Sequence, residues 1–420
     1  MKIILAALSS RPHGTRRATT TTNTAQMLTA MAAVVGFSGI ANLVPAVALA
    51  HPPSEMLATT ISSPVMYYAR AGHTSTLLGN GSVLIAGGAS NPSAELYYPA
   101  SNTFTVTGDM LYSRSGHTAT SLRTGQVLVA GGTALTRTVE LYNPATGQFS
   151  NGGTMHSLRT GHTATLLPNG NVLLAGGNDA SGTGLKSAEI YTPSTHTFAL
   201  TGSMTTARIG HTATMLPNGK ILIAGGSTLA TAELFNPATG HFTPTGALRA
   251  ARFGGHTATM LPGGRVLLVG GASGGPMDEA ELYSVSTGKF TLTGRLTYAR
   301  SSHTATLQGD GTVLIVGGVN GSIQNISGTG PFGCIRLRIP CQAAVPAKYL
   351  EAYESATGTF RVVGNGPAVW QHTASSLPPN QTFVAGGEAL VRKSILICRS
   401  GCQLYYYWAN EATHKTALIP

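Results

Sequence analysis

A His-Thr dipeptide returns along the chain at His73, His117, His162, His211, His256, His303 and His372. Imidazole is a common ligand for zinc and copper, so this series raises metal chemistry first. Its regularity argues the other way. A residue that returns once per unit, at a spacing of about 45 residues, serves the unit. Equivalent positions in a radial array also lie too far apart to share one ion, except close to the axis, because nitrogen and sulfur ligands sit within about 2.3 Å of it. The histidines are therefore expected to be structural, and no metal or other cofactor is expected.

Arginine and glutamate form a second series. Arg70, Arg114, Arg159, Arg208, Arg252 and Arg300 each stand just ahead of a His-Thr pair. Glu95, Glu140, Glu189, Glu233, Glu281 and Glu351 follow at the third strand of the unit. In the last unit both types disappear, with Val369 at the arginine place and Gln403 aligned with the glutamates. A buried carboxylate without its guanidinium is costly, so loss of one favours loss of the other. The series predicts a ladder of Arg–Glu contacts.

That ladder consumes six of the fifteen acids. Glu55, Asp109, Asp179, Asp278, Glu279, Asp310, Glu354, Glu388 and Glu411 remain, mostly in expected turns, and none forms an evident pair for glycoside hydrolysis. No nucleophile motif, phosphate loop or dinucleotide glycine pattern stands out. A binding scaffold is expected rather than an enzyme.

The elements that position these residues are short strands. The clearest unit runs RIGHTATMLPNGKILIAGG and then AELFNPATGHFTPTG, from Arg208 to Gly246. Asn-Gly supplies the positive φ of a tight hairpin. Ile221–Ala224 is too short and too uniformly apolar for anything but a strand covered on both faces. Gly-Gly ends it, AELF is a third strand, Asn-Pro-Ala-Thr-Gly a turn, and HFTPTG a polar outer strand. Four antiparallel strands repeated in this way make a propeller blade. The predicted fold is all-β, a seven-bladed β-propeller of four-stranded antiparallel kelch-type blades. The double glycine followed by a spaced aromatic resembles the kelch family over residues 57 to 408. At the repeat level the chain is also similar to the galactose oxidase-like superfamily. That likeness implies, as the alternative function, a galactose oxidase-like or other carbohydrate-active enzyme. Its copper radical site of two tyrosines, two histidines and a cross-linked cysteine has no matching positions here.

Binding chemistry is expected in the two longest connections between second and third strands, Gly318 to Glu351 and Gly387 to Gln403. They hold all four cysteines, Cys334, Cys341, Cys398 and Cys402. Pairing within each connection, Cys334–Cys341 and Cys398–Cys402, is expected first, and a link between the two is the alternative. They also hold Arg336, Arg338, Lys348, Arg392, Lys393 and Arg399, with Glu388 as the one acid outside the ladder. These cations predict a positive edge for an anionic glycan, wall polymer or protein ligand. The Tyr405–Trp408 cluster is expected in the third strand of the last unit.

The ends complete the organisation. Residues 1–50 contain Lys2, Arg11, Arg16 and Arg17, no acid, and an apolar stretch closing on Ala48-Leu49-Ala50. This reads as a secretory signal peptide, with a membrane anchor as the alternative. Its removal lowers the formal charge of +11 to +7, and leaves no membrane span expected in the mature, secreted or surface-exposed chain. No Lys/Arg stripe with interleaved aromatics appears, so no nucleic acid partner is expected. Residues 51–69 are expected to include a strand, at about 57–62, that closes the last blade. The propeller proper is expected over 70–412, with 413–420 as a tail. The alternative has Thr413–Ile419 closing the blade alone.

Overall fold

The unit from Arg208 to Gly246 folds into strands Thr212–Met215, Ile221–Ala224, Ala232–Asn236 and His241–Pro244, each antiparallel to the next. The second strand is wholly buried, because neighbouring sheets cover both its faces and alternation would leave polar groups without water. Asn218 and Gly219 turn the chain into it: Asn218 Oδ1 accepts the Lys220 amide at 3.1 Å, and Gly219 takes φ 77°. Gly225 and Gly226 end it at φ 68° and 72°. A Cβ on Gly226 would fall 2.7 Å from the His211 backbone nitrogen, so only glycine fits.

This computed structural model describes residues 61–62, 65–132, 136–326, 341–369, 371–377, 381–386, 388–398, 402–412 and 416–419. The chain is an all-β β-propeller of four-stranded antiparallel sheets. Six sheets, spanning 74–106, 118–154, 163–200, 212–244, 256–300 and 304–365, each come from a single stretch of chain. Their cores lie between sheets. Leu84, Ala86 and Ala94 of the first, for example, pack with Val127, Val129 and Tyr142 of the second. Full burial of each leucine or valine among them contributes about 1.5–3 kcal/mol. No helix of the described residues is long and apolar enough to cross a membrane.

The expectation of seven blades is corrected here: six sheets form blades complete within their own stretch, and a further sheet is composite. Its order is Thr373–Leu377, Gln381–Ala385, Thr416–Ile419 and Ile61–Ser62. The third strand is thus not the segment around Gln403 but lies within 413–420, which was expected as a tail. Ala417 faces Val384, the place that Glu233 takes opposite Ile223. Cys402–Ala412 pairs instead with Glu388–Cys398, so Tyr405–Trp408 belong to a separate hairpin. The reason is length. Both hairpin strands run for 11 residues, a match that a sheet strand of 4 or 5 residues cannot offer. Ile61–Ser62 supplies the outer strand, within the N-terminal segment expected to do so.

The inner strands are neighbours in order, Thr74–Leu77 beside Thr118–Ser121 and onward, and Thr373–Leu377 touches both Thr304–Leu307 and Thr74–Leu77. The connection after Gly318 forms its own hairpin, Val319–Ile326 with Cys341–Pro346. Cys341–Pro346 lies against both strands of the Glu388–Ala412 hairpin.

Candidate functional site

Each of the six arginines is buried and reaches its own sheet's glutamate. The distances are 3.0 Å for Arg70–Glu95, 2.9 Å for Arg114–Glu140, Arg159–Glu189 and Arg208–Glu233, 2.8 Å for Arg252–Glu281 and 2.5 Å for Arg300–Glu351. The guanidinium also donates to the carbonyl of the first glycine in its sheet's doublet, as Arg208 does to Gly225 at 2.8 Å. The other carboxylate oxygen accepts a backbone amide from the chain entering the sheet: Tyr67, Leu111, His156, Thr205, Arg249 or Thr297, at 2.6–2.9 Å. One ion pair therefore fixes the entering chain, the third strand and the glycine turn together. With both carboxylate oxygens and most guanidinium donors so engaged (Arg252 Nε is the buried exception), these groups are committed to holding the sheet together.

The histidines are equally committed. Each Nε2 hydrogen-bonds a threonine at the start of the preceding inner strand: His117 with Thr74, His162 with Thr118, His211 with Thr163, His256 with Thr212, His303 with Thr257, and His372 with Thr304, at 2.9–3.3 Å. His73 bonds Thr373 at 2.9 Å. His256 Nε2 also meets the Ala224 carbonyl at 3.2 Å, which requires Nε2 to carry the proton. Each ring lies against the first glycine of the preceding doublet. A Cβ on Gly87 would sit 2.6 Å from His117 Cε1, and one on Gly225 2.6 Å from His256 Cε1. The glycine doublet is thus a socket for the next sheet's imidazole. Burial, reinforced by the adjacent arginine, pulls His73, His117, His162 and His211 down to about 3. Burial also pulls His256 and His372 down to about 4, and His303 well below the ordinary range. All are neutral at physiological pH.

What remains available for a ligand lies at the end of the sheets where the inner strands begin. Strand alternation puts both hairpins there, together with the connections between sheets. Those connections expose Tyr67, Tyr68, Leu111, Tyr112, Ile209, Phe253 and Tyr298. Tyr298 stacks on Tyr349 with ring centres 4.8 Å apart and planes 13° apart, and Lys348 Nζ sits 5.3 Å from the Tyr349 ring centre. Tyr68 and Tyr112 each cover a buried arginine, Arg70 at 5.6 Å and Arg114 at 5.8 Å. The residue before the histidine is glycine in five units, at φ 64–68°. In the two units that carry the hairpins it is Ser302 (φ 56°) and Gln371 (φ 54°). Neither type favours that conformation.

Of the expected cationic edge, Lys348 is exposed at this end. Arg392 and Lys393 lie on the Glu388–Cys398 strand, opposite Trp408 and Tyr407. Arg336, Arg338, Arg399 and Cys334 lie outside the described residues. Cys398 and Cys402 are register partners, while Cys341 faces Ile326. Ser302 and Gln371 were missed by sequence reasoning, although the signal was present. Ser-His and Gln-His replace the Gly-His of the other units. A shallow cleft of about 460 Å³ at the opposite end, lined by Asn169, Asn218, Lys220 and Asn236, gathers residues in or beside turns.

No family model matches the chain, and no curated protein does. Among solved structures it is similar to a fungal alcohol oxidase of the AA5 family, described as having catalytic diversity and determined in complex with copper. The two share 16% identity with a TM-score of 0.61, over 84% of this chain and 75% of that one. Such a likeness speaks for architecture, since one fold hosts many chemistries. The copper of that relative does not fit the residues described here. Among them no three His, Cys, Asp or Glu side chains gather, and the axial histidines spend Nε2 on threonine and pack their rings on glycine. In its architecture, then, the chain is a β-propeller of four-stranded antiparallel sheets, similar in fold to that copper-bound alcohol oxidase.

Proposed function

We propose that this chain is an exported binding propeller. The composite sheet acts as a seventh blade, and the end bearing the two hairpins takes an acidic glycan. The observation that carries the reading is the coincidence of three departures at one end of neighbouring sheets: the hairpins, the polar residues Ser302 and Gln371 in strained backbone, and the stacked Tyr298–Tyr349 pair beside Lys348. Strain of this kind persists where surrounding structure and use maintain it. Exposed aromatic faces suit the apolar faces of sugar rings, as they do other flat or amphipathic ligands. Lys348, Arg392 and Lys393 supply charge for carboxylate or sulfate groups. Support for the seventh blade comes from the His73–Thr373 bond, which continues the histidine–threonine series from the last sheet to the first.

The test is retention of residues 51–420 on immobilised acidic and neutral polysaccharides at increasing salt. Preferential, salt-sensitive retention on the acidic matrix is expected, and Arg392→Glu with Lys393→Glu should abolish the preference. Equal retention of both proteins on both matrices overturns the reading.

One observation favours a second reading, oxidation of an alcohol or sugar: the fold shared with the copper-bound alcohol oxidase. The described residues offer no donor set for that metal, and no step is derived through it. Alcohol-dependent oxygen consumption that appears with added copper and vanishes with a chelator would replace the binding reading with this one.

A further inference from the structure

We infer that Cys398 and Cys402 form a cross-strand disulfide that pins the tip of the long hairpin. The two residues are Cα partners at the closed end of the Glu388–Cys398 and Cys402–Ala412 ladder, which runs in unbroken register from Glu388↔Ala412 to Cys398↔Cys402. Directly opposed residues of an antiparallel pair stand about 4.5–5.5 Å apart at Cα, inside the window a disulfide spans. The three residues between them, Arg399-Ser400-Gly401, end in glycine, the composition favoured by a three-residue hairpin connection. The other cysteine with a described backbone, Cys341, faces Ile326 at the tip of the neighbouring hairpin. Among the described residues, register therefore places Cys398 and Cys402 alone opposite another cysteine.

The physical need is local. A two-stranded ribbon is marginal in water on its own, and among the described residues this one pairs with no further strand. A link closing so short a loop constrains the unfolded chain little, so its effect is confined to the hairpin. In forming the bond, the two thiols lose two protons and two electrons. The electrons pass by thiol–disulfide exchange to a small-molecule disulfide such as the oxidised form of a thiol buffer.

Trypsin provides the test, because Arg399 lies between the two cysteines. Digestion without reduction should yield peptide 394–399 joined to peptide 400–415, lighter by two hydrogens than the sum of the pair and separating when a reductant is added. Recovery of either peptide with a free thiol after oxidative refolding, or of peptide 394–399 joined to 339–348, overturns the assignment. Deuterium exchange on the intact protein gives a second reading. Reduction is expected to speed amide exchange across 388–412 while leaving that of Ile221–Ala224 unchanged. Unchanged exchange in the hairpin would contradict the pinning role.

Discussion

Six sheets and the composite one solve the same packing problem with different chemistry. In the six, a buried Arg–Glu pair ties the entering chain to the third strand. In the composite sheet the equivalent places hold Val369 and Ala417, and no ion pair is possible. The histidine bond, by contrast, is kept in the composite sheet, with His372 on Thr304 and Thr373 on His73. The difference separates two roles. The ion pair organises one sheet internally and can be replaced as a unit by apolar residues. The histidine joins each sheet to its neighbour, and dropping one would break a link between two sheets.

The largest expected effect follows from the shared device. The buried imidazoles have folded values pulled below their unfolded value near 6.5, down to about 3 or 4 where resolved. Between these values the unfolded chain binds more protons. The stabilisation is therefore complete above about pH 6.5 and is lost as pH falls toward 4 and then 3. Thermal midpoints recorded from pH 7.5 to 4 should fall steeply and cooperatively. A flat profile would mean that the rings are hydrated in solution.

Next in size is the ion pair. Glu233→Ala leaves Arg208 buried and unmatched and should cost about 3–5 kcal/mol in urea unfolding. Arg208→Val combined with Glu233→Ala copies the composite sheet and should recover part of that loss, a coupling visible in a double-mutant cycle. If the double variant is as unstable as the sum of the singles, replacement as a unit is not what the composite sheet illustrates.

Smaller effects come from the strained positions. Ser302→Gly should gain about 1 kcal/mol by relieving left-handed backbone. Gly210→Ser should lose a similar amount, both read from unfolding midpoints. The smallest contrast involves the tyrosines that fill one position in the third strand. Tyr283 bonds Thr245 at 2.9 Å, whereas the Tyr191 hydroxyl is buried and has no partner among the described residues. Burial raises Tyr191 to about 12. Gly152 stands where Thr245 would be needed, and Phe235 already fills the position in a third sheet. Tyr283→Phe should cost about 1 kcal/mol and Tyr191→Phe nothing.

Much of this was legible in the sequence because each element announces itself with local chemistry. Asn218-Gly219 marks a hairpin, Ile221–Ala224 a covered strand, and Gly225-Gly226 its end. The partnership of Arg208 with Glu233 was readable from charge alone, since buried ions must be matched. Aligning Gln403 with those glutamates failed for a physical reason. Strand pairing depends on which segment finds a partner of equal length, and the tyrosine-rich run found Glu388–Cys398. The true third strand, Thr416–Ile419, is four residues with no motif to single it out. Ser302 and Gln371 escaped notice because their significance is a backbone angle, which sequence shows only as a missing glycine.

The pairing of Ile61 with Leu418 has a consequence for how the protein is made. During synthesis the first strand emerges long before its partner exists. Six sheets can assemble as they leave the ribosome, but the joint between beginning and end must wait for nearly the whole chain. Until then Gln381–Ala385 presents an unpaired edge that is apolar from Phe383 onward. Unpaired edges of this kind recruit other strands. Translation stalled shortly before Thr416, or a chain cut there, would leave the composite sheet without its third strand and the protein unusually prone to aggregate.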